Sequence, residues 1–170
     1  MKNAEIIQET DTLVLARPHD DMHALGVISL ISTLAASYGK EQMYAFIDRM
    51  RCAIEMQSYG IIYERVGPDA EIEQPVGYIT WGMFSRATEV VFTERLRPLQ
   101  SRDFKSGSKL WVVDLVAPLG HGPEGLKLFD AQFEEYESYN ATRWRGGKLG
   151  KTNHTNSVAH KNKLKHKADK

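Results

Sequence analysis

One cysteine, Cys52, stands in a chain of 170 residues, which excludes an internal disulfide and any metal site built on several cysteines. Long apolar runs are also missing: no stretch approaches the roughly 20 residues needed to cross a bilayer. Residues 1–12 carry Glu5, Glu9 and Asp11 and lack a basic start followed by an apolar segment. No secretory signal is read there, and a cytoplasmic location is the expectation. There is no Gly-x-Ser-x-Gly elbow, so a serine hydrolase has no support. No internal repeat is evident.

What is present is ordinary for a globular protein: 42% hydrophobic and 26% charged residues. The length suggests one domain with a real core. Net charge is zero, yet it is unevenly spread. Residues 143–170 hold nine Lys/Arg and one acid, Asp169, while the first 142 hold 13 basic and 21 acidic residues. The body is therefore about −8 and the end about +8, which predicts a domain over 1–147 and a basic, flexible tail over 148–170. Such a tail is either a solvated end or a surface for an acidic partner, a nucleic acid or its own body.

Asp20 and Asp21 precede an apolar stretch over 22–38 closed by Gly39, which is helix punctuation. Leu25, Ile28, Leu30, Ile31 and Leu34 are its expected buried stripe. A second helix is predicted over 41–54, with Met43, Phe46, Ile47, Met50 and Ile54 inward. Residues 59–66 and 75–82 read as two strands, paired antiparallel across a turn at Gly67, Pro68 and Asp69. A helix follows over 85–96, with Ser85 as its cap, and then a polar loop over 101–108. The strongest strand signal is 110–117; a turn over 118–123, a helix over 124–137 and a strand near 139–144 complete the body. After Gly147 little regular structure is expected beyond a terminal helix. The order predicts an α+β or α/β layer, a central, mainly antiparallel sheet flanked by helices.

Asp114 is the sharpest anomaly, a carboxylate inside Trp111-Val112-Val113-Asp114-Leu115-Val116. Neighbours this apolar predict a strand covered on both faces, where an unpaired carboxylate is costly. It therefore has a partner or a function, unless it lies at a strand edge facing solvent. His23 opens the first helix within His19-Asp20-Asp21-Met22-His23 and is able to exchange protons near neutral pH. The alternative is a histidine that caps or packs locally. His19 and His23 lie four apart, but His19 follows Pro18 and precedes the helix, which spoils a zinc geometry; no metal is expected. Arg145-Gly-Gly-Lys-Leu-Gly-Lys-Thr152 fails as a phosphate loop, because Arg145 stands where glycine is required. Cys52 falls in a helical stripe and reads as core.

Several segments together resemble the RTX toxin-activating lysine acyltransferases, the haemolysin-activator family. They are Pro75-Val76-Gly77-Tyr78-Ile79-Thr80-Trp81, the turn Ser106-Gly107, Trp111, and Asp114 followed by Ala117-Pro118-Leu119-Gly120. Ala141-Thr142-Arg143 is similar to the family's C-terminal portion. The likeness runs from about His23 to Lys151. It implies a GNAT-like fold and His23, six residues before Ser29-Leu30, as the catalytic histidine, with His19 as a rival. It implies Asp114 as the catalytic aspartate. It further implies a fatty-acyl group moved from acyl carrier protein, a co-substrate rather than a bound cofactor, to lysines of an RTX protoxin, by a homodimer. On that reading His23 is a general base or carries the acyl group itself, and Asp114 orients its ring. Two other readings stay open. One is a GNAT-like acyltransferase acting on another protein or a small amine. The other is a binding module using its basic tail, although a nucleic acid is not the expected partner.

Overall fold

Leu13, Val14, Leu15 and Ala16 are four consecutive residues, each at most 3% exposed. Only a strand covered on both faces buries neighbours in this way. Val14 and Ala16 pack with two helices on one face of the sheet, while Leu13 and Leu15 pack with a third helix on the other. The computed structural model describes residues 4–35, 43–66, 72–145 and 148–168.

In chain order the elements are β1 (Ala4–Glu9), β2 (Leu13–Pro18), α1 (Asp21–Thr33), α2 (Met43–Glu55), β3 (Tyr59–Val66) and β4 (Ile72–Phe84). Then come α3 (Arg86–Thr93), a 3-10 turn (Ser101–Asp103), β5 (Lys109–Val116), α4 (Gly122–Gln132), β6 (Ser138–Arg145), β7 (Lys148–Thr155) and α5 (Ser157–Ala168). The seven strands lie in chain order in one sheet. Every neighbouring pair is antiparallel except β5 and β6, which are joined through α4 and run parallel. This is an α+β, GNAT-like architecture, as the sequence predicts.

One face is covered by α1 and α2 over Val14, Tyr59, Ile61, Tyr63, Tyr78 and Val116. The other carries Ile79, Trp81 and Val112 under Leu128 and Phe129 of α4. A third cluster joins Phe84, Phe104, Trp111 and Val113 to Ala53 of α2, with the rings of Phe84 and Trp111 stacked. Cys52 is partly buried against that cluster.

The antiparallel pairing of β3 with β4 and the helix capped by Ser85 are as expected. The turn at 67–69 and the residues Tyr38, Gly39 and Glu41 lie outside the described residues. Elsewhere the structure departs from the pattern. β1 and β2 precede the first helix, where no strand is predicted. β2 has no polar alternation, and β1 is a polar pairing strand. In α1 the buried residues are Ala24, Ile28, Ile31 and Ser32, while Leu30 and Leu34 are exposed. Small side chains face the sheet because the helix lies close to it, and the Ser32 hydroxyl meets the Tyr78 hydroxyl at 2.9 Å. In α2 the inward residues are Phe46, Met50, Ala53 and Ile54, and Met43 is exposed. α4 starts earlier than 124, with Pro123 in its first turn, and stops at Gln132. Beyond Gly147 the expected terminal helix is α5, but the strand β7, which is not expected, precedes it. β7 is paired along its length with β6, and its composition hides it, since a polar outer strand shows no apolar run.

Candidate active site

β4 and β5 set the position of Asp114. Their register pairs Thr80 with Asp114 and then slips, so that Trp81 opposes Val112. Val113 is the extra residue of this bulge, a device that re-aims the side chains beside it. Asp114 shares the face of Val116, which packs under α1 and α2.

The carboxylate there is nearly enclosed, with 10% of the side chain exposed. It is held from two sides. The Thr80 hydroxyl donates to Oδ2 at 3.0 Å, and the Asp114 N–H donates back to the Thr80 hydroxyl at 3.1 Å. From α2, Arg49 brings Nε to 3.4 Å from Oδ2, and its Nη2 donates to Oδ1 at 3.5 Å. The expectation that this carboxylate has a partner is met by an arginine and a threonine. Sequence reasoning singles out neither. Arg49 lies beside Met50 in the apolar stripe of α2, and Thr80 is the hydroxyl between Ile79 and Trp81 in an apolar strand.

Among the described residues, β5 and β6 are in register at two positions only, Trp111 with Asn140 and Val112 with Ala141. Asp114 lies just past the last of these, where the two strands part. The same register row continues to Tyr59, which opposes Thr80. Tyr59 is buried, its hydroxyl donates to the Pro18 carbonyl at 3.4 Å, and Arg17 Nε donates to the Tyr59 carbonyl at 3.1 Å. Burial, and next the charge of Asp21, push the Tyr59 phenol up to about 12. The first turn of α1 therefore stands over the Tyr59 end of the row, and Asp114 ends the row about 10 Å away, two strand spacings.

His23 is in that first turn and is exposed. Asp20 is the N-cap, and its Oδ1 accepts the His23 main-chain N–H at 2.7 Å. That carboxylate thus holds the backbone of His23. Among the described residues no hydrogen bond or ion pair joins His23 to Asp114. His19 precedes the cap, so it and His23 do not share a helical face. Among the described residues no group of three or more His, Cys, Asp or Glu is placed to hold a metal ion.

The motif turns have local causes. At Ser106-Gly107, a Cβ on Gly107 would meet Ser85 N at 2.4 Å and the Phe84 carbonyl at 2.6 Å, so only glycine fits. Gly120 has φ +97°, and its N–H closes a turn onto the Ala117 carbonyl at 3.2 Å. Next to it His121 Nε2 lies 3.4 Å from Glu64. Arg145 and residues 148–152 are in the β6–β7 pairing rather than a strand-loop-helix, and Gly146 and Gly147 lie outside the described residues.

The model of the RTX toxin acyltransferase family matches residues 17–159, a span that includes His19, His23 and Asp114. The chain is 28% identical over 108 residues to a leukotoxin-activating lysine-acyltransferase of Pasteurella haemolytica-like sp. (strain 5943B), covering 64% of this chain and 58% of that protein. It is 28% identical over 101 residues to a protein-lysine myristoyltransferase of Kingella kingae, covering 59% of this chain and 56% of that one. The matched part thus spans little more than half the length of these curated relatives. Among the described residues no helix is long and apolar enough to cross a membrane.

Proposed function

Because the chain belongs to the RTX toxin acyltransferase family, we propose that it moves a fatty-acyl group from the thioester of acyl carrier protein to lysine side chains of an RTX protoxin, in the cytoplasm. The observation that carries this reading is Asp114. It is a carboxylate fixed by Arg49 and Thr80 at the point where β5 and β6 part, on the sheet face that also bears the first turn of α1.

The acceptor's chemistry sets the requirements. A free lysine has a pKa of about 10.4, so only about one in a few thousand is neutral at pH 7. The neutral amine attacks the thioester carbonyl. A C–N bond forms, the C–S bond breaks, and the amine's proton must leave. His23, exposed at the start of α1, accepts it as a general base, a step worth about 10²–10⁴-fold. The proton ends on the departing thiolate of the carrier. Asp114 acts through its charge, stabilising the cation that develops at the amine and the imidazole. This differs from a triad in which the acid grips the ring directly. The place where β5 and β6 leave register, beside Asp114, is the entry for the donor's arm on this reading.

The test is intact-mass analysis of an RTX protoxin incubated with the protein and acyl carrier thioesters, beside His23→Ala, His19→Ala and Asp114→Asn. A fatty-acyl mass gain with wild type and His19→Ala, lost in the other two, is the expected result. Full gain with His23→Ala moves the base to another residue. An acyl adduct on the enzyme itself replaces the base role of His23 with a covalent one. No gain from folded wild type, with gain on another protein or small amine, changes the acceptor.

A further inference from the structure

We propose that Arg49 is a positioning residue for the transfer: it fixes the charge and direction of the Asp114 carboxylate from α2. This rests on the function proposed above. Arg49 Nη2 donates to Oδ1 at 3.5 Å, and Nε lies 3.4 Å from Oδ2 as an ion-pair contact. A planar guanidinium turned edge-on to the carboxylate favours one orientation, which a point charge does not. Arg49 is itself held. Its guanidinium carbon lies 5.8 Å from the centre of the Phe46 ring, and Phe46 is buried in the core under α1 and α2. Met50, the next residue, is fully buried, so the helix that carries the arginine is anchored beside it. Thr80 fixes the carboxylate from β4, and Arg49 fixes it from a helix 65 residues away in sequence.

The pairing has a chemical consequence. A nearly enclosed carboxylate without a cation beside it would capture the acceptor's ammonium as a ground-state ion pair. Such a pair binds substrate without lowering the barrier. With Arg49 beside it, part of that charge is met and a free ammonium is held less tightly. Arg49 is thus required for turnover more than for acceptor binding.

The experiment is a double-mutant cycle on the full chain with protoxin and acyl carrier thioester: wild type, Arg49→Gln, Asp114→Asn and the double variant, with Arg49→Lys as the conservative change. Arg49→Gln is expected to lower kcat about ten- to a hundredfold with little rise in the acceptor KM, and to add less than about threefold when Asp114 is already Asn. Arg49→Lys restores part of kcat, because the charge returns without the planar guanidinium edge. Arg49→Gln within about twofold of wild type, or losses that multiply in the double variant, overturns the proposal. If folded wild type transfers nothing to the protoxin, the functional reading fails separately. The same five proteins are then compared by thermal midpoint. Non-additive shifts keep the Arg49–Asp114 pairing, and additive shifts end it.

Discussion

Thr80 and Asp114 bond each other in both directions: one hydroxyl donates to the carboxylate at 3.0 Å and accepts the same residue's N–H at 3.1 Å. The pair sits at the bulge between β4 and β5, so the hydroxyl also replaces a ladder bond. Thr80→Val keeps the shape and removes both bonds. It takes one partner each from a part-buried N–H and a carboxylate oxygen, at about 1–3 kcal/mol. Thr80→Ser keeps the hydroxyl and is expected to cost less. Denaturant midpoints of the three proteins check this, and a Thr80→Val as stable as wild type would sink it.

Gly107 is required by contact with main chain. A methyl there would lie 2.4 Å from Ser85 N and 2.6 Å from the Phe84 carbonyl, atoms that move only if β4 moves. The Gly107 N–H also donates to the Met83 carbonyl at 2.9 Å. Gly107→Ala is expected to destabilise by about 1–3 kcal/mol or more. Gly125→Ala is a control: its added methyl would meet the Ile62 Cδ1 at 2.5 Å, the far end of a side chain rather than main chain. Its midpoint should stay closer to wild type, and equal losses at both positions would contradict the main-chain argument.

Asp114 stands out in the sequence because a carboxylate in an apolar strand breaks a local pattern, and local patterns are what a sequence displays. Arg49 does not stand out. Its role depends on a contact 65 residues away, and beside Met50 it looks like any charge at the edge of a helical stripe. The central strands β3, β4 and β5 are visible for the same reason that Asp114 is: they are apolar runs with turns between them. β2 is apolar too, but it closely precedes an apolar helix, and periodicity does not separate the two. α1 shows the limit of counting large apolar residues. Leu30 and Leu34 fit the stripe on paper, while Ala24 and Ser32 take the close contacts with the sheet.

Acid should weaken one corner of the fold in a defined way. The Arg97 guanidinium donates to both oxygens of buried Asp103, at 2.6 and 2.9 Å, and holds its carboxyl below the usual carboxylate range. The Gln100 N–H adds a bond at 2.8 Å. A lowered folded pKa means that the stability from this group is fully present above the unfolded value of about 3.9 and is lost as pH falls through the lower folded value. Melting temperatures of wild type and Asp103→Asn should therefore differ at neutral pH and converge in strong acid. A difference that holds constant below the carboxylate range would show that Asp103 does not act through its charge.

Asn156 is the hub between the end of α4 and the start of α5, and removing its side chain should release α5 alone. Asn156 is fully buried. Its Nδ2 donates to the Asp130 and Phe133 carbonyls, both at 2.9 Å, which closes the end of α4. Its Oδ1 accepts the N–H groups of Val158 and Ala159 at 3.0 Å, which caps α5. Asp130 adds bonds from the Ser157 N–H and hydroxyl at 2.9 and 2.6 Å. Past this hub α5 has little apolar surface to bury: Ala159 is its one core residue among those described, and Lys163 meets Glu137 at 2.7 Å on an exposed surface. Exposed pairs of that kind contribute about 0–1 kcal/mol and do not hold a helix down. Asn156→Ala would strand two carbonyls and two N–H groups, a cost of about 2 kcal/mol or more. Amide exchange should then speed up across 157–163 while β5 stays protected, because no Asn156 bond reaches that strand. Uniformly faster exchange throughout would mean that α5 unfolds together with the sheet, and unchanged exchange in α5 would mean that other contacts hold it.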